Sequence, residues 1–199
     1  MRVAIVILNW NGRSYLEKFL LSVVQNSKGA SIYVADNAST DGSVDFVEGA
    51  FPNVGIIQNG GNLGFAGGYN AALRNLDEEI FVLLNSDVEV TENWLLPIVE
   101  LMTADASIAA CQPKILQYDG KDRFEYAGAA GGFIDKFGFP FCRGRLFETL
   151  EKDAGQYDLQ REVFWATGAC LFVRRSVYNE IGGLDDDFFA HMEEIDLCW

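Results

Sequence analysis

Positive charge is scarce in this sequence. There are 15 Lys and Arg against 29 Asp and Glu, a net charge of −14, and the longest basic run is Arg174-Arg175. A general nucleic-acid binder needs a basic footprint, so that class is excluded. Histidine is rarer still, with His191 alone. Without a second histidine or a Gly-x-Ser-x-Gly turn, hydrolase triads find no support. Cys111, Cys142, Cys170 and Cys198 lie far apart with no CxxC pair. That spacing excludes a structural zinc and leaves buried, reduced thiols. No apolar run approaches the ~20 residues of a membrane span, and Val3 to Leu8 is too short for the core of a secretory signal. A cytoplasmic protein is expected, with any membrane association peripheral and at the inner face.

Apolar residues, by contrast, are plentiful. At 49% hydrophobic and 13% aromatic, the 199 residues can build one domain with a sizeable core, and disorder is excluded. The densest run, Ile80 to Leu84, is five apolar residues long and reads as a strand buried on both faces of a parallel sheet. Further strands are expected at Arg2 to Leu8, Ser31 to Ala35, Val54 to Gln58 and Ile108 to Gln112. Helices are expected between them. Leu16, Phe19, Leu20, Val23 and Val24 share a helical face behind a Ser14-to-Glu17 capping box. Val44, Val47 and Phe51 mark a second helix, Leu73 and Leu76 a third, and Trp94 to Met102 a fourth. This alternation argues an α/β fold, mostly parallel, with helices on both faces. From Tyr118 to Asp158 the texture turns rich in glycine and aromatics, and short antiparallel strands and long loops are expected there. A strand over Glu162 to Val173 and helices at Ser176 to Ile181 and from Met192 complete the chain. Residues 1–117 form one half of this reading and residues 118–199 the other.

The candidate chemistry gathers where strands end. In open α/β sheets ligands bind at the carboxyl edge. Asn85-Ser86-Asp87 follows the buried strand, so Asp87 is a candidate ligand for Mg²⁺ or Mn²⁺, which take oxygen donors. Its competing reading is an ordinary turn. Asp36 ends a second strand, where it either accepts a bond from a base or ribose or stabilises its own turn. The glycine-rich loop Asn59 to Asn70 is neither a GxGxxG fingerprint nor a P-loop. Its glycines allow a phosphate at the helix start or, alternatively, close helix packing. Glu193-Glu194-Ile195-Asp196 opens the last helix, with Glu193 and Asp196 on one face and Glu194 turned about 100° away. Acidic residues also suit a first helical turn for its dipole alone. Asp185-Asp186-Asp187 reads as a solvated turn, and His191 as structural.

Seven segments in order resemble family 2 inverting glycosyltransferases of the GT-A fold, in particular the bacterial branch with rhamnosyl- and galactofuranosyl-transferases. They are Val6–Gly12, Ala35–Ser43, Asn62–Gly68, Leu84–Val88, Thr167–Arg175, Gly182–Asp185 and Phe188–Trp199. The resemblance implies that Leu8, Asn9 and Asp36 hold the donor nucleotide, with Asn62 and Gly67 lining its pocket. Asn85-Ser86-Asp87 matches the family's D-x-D motif with Asn in first place, which leaves Asp87 as the metal ligand beside Asn85 and Ser86. Trp165, Gly168 and Ala169 match the side facing donor sugar and acceptor. Glu193-Glu194 matches the acidic pair that supplies the base, with Glu194 in the base's place.

The function implied is transfer of a sugar from a UDP- or dTDP-sugar, with inversion, to a hydroxyl of a glycan or lipid-linked acceptor. Mg²⁺ or Mn²⁺ is the implied cofactor. Two other readings compete. One is a non-catalytic nucleotide- or carbohydrate-binding domain of the same fold. The other, a nucleotidyltransferase, lacks a basic glycine-rich turn after the first strand. The resemblance also implies that the chain is a truncated piece, because family members continue past the last helix to a histidine that completes the metal's coordination. A formed nucleotide site with a weakly held metal is the expectation.

Overall fold

The computed structural model describes residues 1–199. Ile80 to Leu84 are all fully buried within strand β4 (Ile80–Asn85), as their unbroken apolar character requires. On one side β4 pairs in parallel with β1 (Val3–Asn9), which pairs with β2 (Ser31–Asp36), which pairs with β3 (Gly55–Gln58). On its other side lies β10 (Cys170–Arg174), antiparallel, followed by the two-residue β5 (Ala110–Cys111). The sheet order is β3-β2-β1-β4-β10-β5, so the expected mixed α/β architecture is present.

Side chains alternate across this sheet into two cores. Ile5, Ile7, Val82, Leu84 and Phe172 face one layer, closed by α1 (Arg13–Asn26), α2 (Ser43–Ala50) and α4 (Leu96–Ala104). Ala4, Val6, Phe81, Leu83 and Leu171 face the other. That face is covered by α3 (Gly64–Leu73), through Ala66, Tyr69 and Leu73, and by Tyr178 of α5 (Arg175–Glu180). Between β5 and β10 the chain forms two hairpins, β6 (Gly132–Ile134) with β7 (Pro140–Cys142) and β8 (Arg145–Leu146) with β9 (Thr149–Leu150). These are the short antiparallel strands expected after Tyr118. The chain closes with α6 (Glu193–Cys198).

Three local expectations need correction. Ser14 does not cap α1; the helix begins two residues earlier, at Arg13 behind Gly12, and Glu17 pairs with Arg13 at 2.8 Å instead. The capping role falls to Asp41, whose carboxylate accepts from the backbone N–H of both Arg13 and Ser43, at 2.8 and 3.0 Å. Glu162 to Val173 is not one strand: only Cys170–Arg174 pairs in the sheet, and Trp165 makes a single bridge to Gly132. Asp185-Asp186-Asp187 is more than a solvated turn, since Asp185 caps a 3-10 turn at Asp186–Phe188 and Asp186 accepts a 2.6 Å bond from Asn70. No helix is long and apolar enough to cross a membrane.

Candidate active site

Three strands deliver polar residues to one edge. The register sets Asn9 beside Asp36, and Leu8 beside Asn85. Asn9 is buried, and its amide nitrogen lies within 3.0 Å of Asp36 Oδ1 and the Ser39 hydroxyl and 2.9 Å of the Ser43 hydroxyl. Its carbonyl oxygen Oδ1 is buried with no partner. A Cβ at Gly12 would lie 2.6 Å from that oxygen and 3.6 Å from Ser86 Oγ, so glycine lets the backbone close over the Asn9 side chain. Asp36 is itself buried, and both its oxygens accept bonds, from Asn9 and from the Ser39 N–H at 2.9 Å. It therefore orders the turn and orients Asn9.

Asn37, to which the sequence assigned no role, ties the glycine loop to this edge. Its side chain donates to the Gly64 carbonyl at 2.9 Å and accepts from Asn59 at 2.8 Å; Asn62 receives its weaker 3.4 Å contact. The glycines serve close packing: a Cβ at Gly68 would meet Leu8 at 2.8 Å and Asn37 at 3.0 Å. Gly64 holds φ +72°, with Phe189 atoms 2.6 Å from its absent Cβ. The amides of Phe65 and Ala66, which would face a phosphate at this helix start, donate to the Phe189 carbonyl instead, at 2.6 and 3.3 Å. Gly67 faces Asp186, 3.6 Å from where its Cβ would be. In this conformation the amides of Phe65 and Ala66 at the start of α3 are taken and are not offered to an anion. Phe189, His191 and Met192 all hold positive φ, a strained backbone no glycine announces. His191 is exposed, so the structural role expected of it is not a packed one.

The segment Gly168–Ala169 joins the two acidic clusters. Asn85 donates its N–H to the Ala169 carbonyl at 3.0 Å, which seats the Asn85-Ser86-Asp87 turn against this segment. On the other side, a Cβ at Gly168 would lie 3.1 Å from Phe65 and 3.8 Å from Glu194 Cβ. Trp165, three residues earlier, packs with Ile195 of α6 and donates its indole N–H to Phe133 at 3.0 Å. Helix α6 separates its acids. Glu193 is buried with Oε2 unpartnered, Glu194 is half-buried, and Asp196 is exposed, so Glu193 and Asp196 do not share an environment. Burial pushes both glutamate carboxyls above their ordinary range. Glu193 adds a repulsion that raises Glu194 further, against the pull of backbone amides and of His191.

Asp87 is exposed and makes no side-chain hydrogen bond or ion pair, and no three His, Cys, Asp or Glu side chains converge into a metal cluster. One free carboxylate beside the Asn85 and Ser86 oxygens suits an ion that arrives with phosphate oxygens of its own, as Mg²⁺ usually does. The donor set fits such an ion and not a preformed metal cage.

The model of the family described as "Glycosyl transferase family 2" matches residues 4–182. The chain belongs to this family. An N-acetylglucosaminyl-diphospho-decaprenol L-rhamnosyltransferase of Mycobacterium tuberculosis is 27% identical over 97% of the chain and 68% of its own length. The rhamnosyltransferase WbbL of Escherichia coli is 23% identical over 98% of the chain and 75% of its own length. Among solved structures, a Pyrobaculum calidifontis mannosyltransferase in complex with GDP-Man and Mn²⁺ superposes with a TM-score of 0.66 at 18% identity. It covers 98% of this chain, which spans 50% of its length. GalNAc-T7 with UDP, GalNAc and Mn²⁺ superposes at 0.71 and 18% identity, covering 99% of this chain and 39% of its own. These likenesses establish the GT-A fold of this family 2 chain.

Proposed function

We propose that this family 2 chain transfers a sugar from a nucleoside-diphosphate sugar to an acceptor hydroxyl, with inversion at the anomeric carbon. The observation that carries the reading is the Gly168–Ala169 segment, seated between the Asp87 turn and the Glu194 side chain. A sugar resting over that segment has a site for its diphosphate on one side and a base on the other. The donor is a pyrimidine nucleotide, UDP or dTDP, with its base or ribose at the edge that Asn9 and Asp36 form; the UDP bound by the GalNAc-T7 neighbour supports it. Asp36 holds the Asn9 side chain in place there.

Glu194 removes the acceptor proton as the hydroxyl oxygen bonds to the anomeric carbon. The bond from that carbon to the diphosphate breaks, and its electron pair leaves with the diphosphate. A carboxyl raised by burial toward neutral pH is a better base than an exposed one. Asp87, with Asn85 and Ser86, would hold Mg²⁺ or Mn²⁺, which when bound neutralises charge on the diphosphate. The acceptor is a glycan or a lipid-linked sugar, as the name of the mycobacterial relative suggests. Release of free nucleoside diphosphate from a panel of donors, with and without acceptor extract, tests the reading. Donor binding with no acceptor-dependent release would leave only a binding domain.

A further inference from the structure

The hairpin of β6 and β7 has two unlike faces. Gly132 and Cys142 face inward: a Cβ on Gly132 would lie 1.8 Å from the Trp165 ring, so glycine lets the hairpin rest flat on the indole. The opposite positions face outward. There Phe133 and Phe141 pair across the hairpin with rings 5.7 Å apart and stacked, and Phe141 remains 52% exposed. At the tip Phe137 is 73% and Phe139 69% exposed. This tip is no loose loop. The Asp135 carboxylate accepts from the N–H groups of Phe137 and Phe139 at 2.8 and 3.0 Å, and Asp135 donates its own N–H to the Phe139 carbonyl.

Charge follows the aromatics. Lys136, Arg143 and Arg145 against Asp135 give residues 132–147 a net charge of +2, in a chain of −14. Lys136 lies 4.9 Å from the Phe137 ring, and the Arg143 and Arg161 guanidinium groups lie 6.0 and 5.6 Å from the Phe133 ring. None of these cations takes part in a salt bridge, although the chain holds nearly two acids for every base. Burial and the neighbouring Arg161 together hold the Arg143 pKa below its usual range. The neighbouring carboxylates are turned elsewhere: Asp135 caps the hairpin tip, and Glu151 accepts from the Tyr157 hydroxyl at 3.0 Å. The adjoining hairpin carries one more exposed ring, Phe147, 84% exposed at φ +52°, where glycine would be the unstrained choice.

We propose that the outer face of this hairpin docks the protein onto an anionic lipid bilayer, with Phe137 and Phe139 entering the headgroup boundary and Lys136, Arg143 and Arg161 meeting lipid phosphates. Exposed rings beside unpaired cations match that interface: rings partition into the boundary, and basic side chains bury their stems while reaching anionic heads. The hairpin's local surplus of positive charge in a chain of net charge −14 calls for an anionic partner, and the exposed Phe137 and Phe139 rings beside Lys136 select a lipid headgroup boundary, which offers anionic heads over an apolar layer. The inference deepens the proposed function by placing the Trp165 side of the site next to the surface where a lipid-linked acceptor resides.

Co-sedimentation with phosphatidylcholine vesicles containing or lacking phosphatidylglycerol tests it, with UDP affinity measured alongside. Binding is expected only to the anionic vesicles, and salt should weaken it. Phe137→Ser with Phe139→Ser should lower vesicle affinity at least about tenfold. Arg161→Gln, which removes no internal hydrogen bond, should lower it about fivefold. UDP affinity should be unchanged in both variants, since neither touches the nucleotide edge. Three results would overturn the proposal: wild-type protein that ignores anionic vesicles, variants that bind them as well as wild type, or a dimer that the Phe137/Phe139 pair dissolves. Loss of UDP binding by the wild-type chain would instead count against the proposed function and leave the docking result standing.

Discussion

Two adjacent glutamates in one short helix are given different work by where the backbone turns them. Glu194 abuts Gly168 and is half-buried, whereas Glu193 is buried with an unpartnered oxygen. Glu194→Gln should therefore lower turnover roughly 10²–10⁴-fold with UDP affinity kept; a larger loss from Glu193→Gln would reverse the roles. Glu193 should show itself in stability. Its folded carboxyl ionises less readily than the ordinary value of 4.5, because burial disfavours the charge. Between 4.5 and that raised value the folded chain binds more protons than the unfolded one, so this group's contribution falls as pH rises. Glu193→Gln should raise the melting temperature at pH 7.5 and leave it nearly unchanged at pH 4.5. Asp87 makes a third test: Asp87→Ala should abolish the Mn²⁺-dependent part of UDP affinity in calorimetry and spare the metal-free part. Among residues, the carboxylates at strand ends were legible because a buried strand can end only at its edge. Asn37 was not, since three of its contacts reach across a loop whose path no pattern in the sequence specifies. Asp36 was half-legible: its edge position could be read, but not that Asn9 and Ser39 would occupy both oxygens.

Elements were readable where periodicity is strong and lost where partners are remote. The five apolar residues of β4 and the buried face of α1 follow directly from their spacing. The glycine loop was legible as a turn, but not that the Phe189 carbonyl, over a hundred residues away in sequence, would take the first amides of α3. A pair of substitutions separates the two roles of glycine there. Gly60 and Gly64 hold nearly the same φ, +75° and +72°, but only Gly64 meets Phe189. Gly60→Ala should cost about 1–2 kcal/mol for the left-handed backbone alone. Gly64→Ala should cost more, because Phe189 at 2.6 Å must also move. Urea denaturation of both variants measures the difference, and equal costs would mean that the Phe189 contact contributes nothing. The capping box failed for a related reason. Asp41 takes the Arg13 amide from outside the helix, so α1 starts at Arg13 and Ser14 lies within its first turn instead of at the cap.

At the scale of the molecule, the parallel half of the sheet was plain from alternating strands and helices, but the insertion of an antiparallel strand was not. Nothing in Cys170–Arg174 marks which edge it joins or in which direction. It joins beside β4, and β5 pairs with β10 alone. This order has a consequence for biosynthesis. β4 emerges from the ribosome about 85 residues ahead of its antiparallel partner. At typical elongation rates its edge therefore stays unpaired for roughly 4–17 s. That edge belongs to the most apolar strand of the chain, and an open apolar edge templates pairing with other chains. Nascent chains paused in this interval should be held by chaperones or aggregate. A chain ending at residue 165 should be insoluble when expressed alone, and soluble recovery should return once the sequence extends through Arg174.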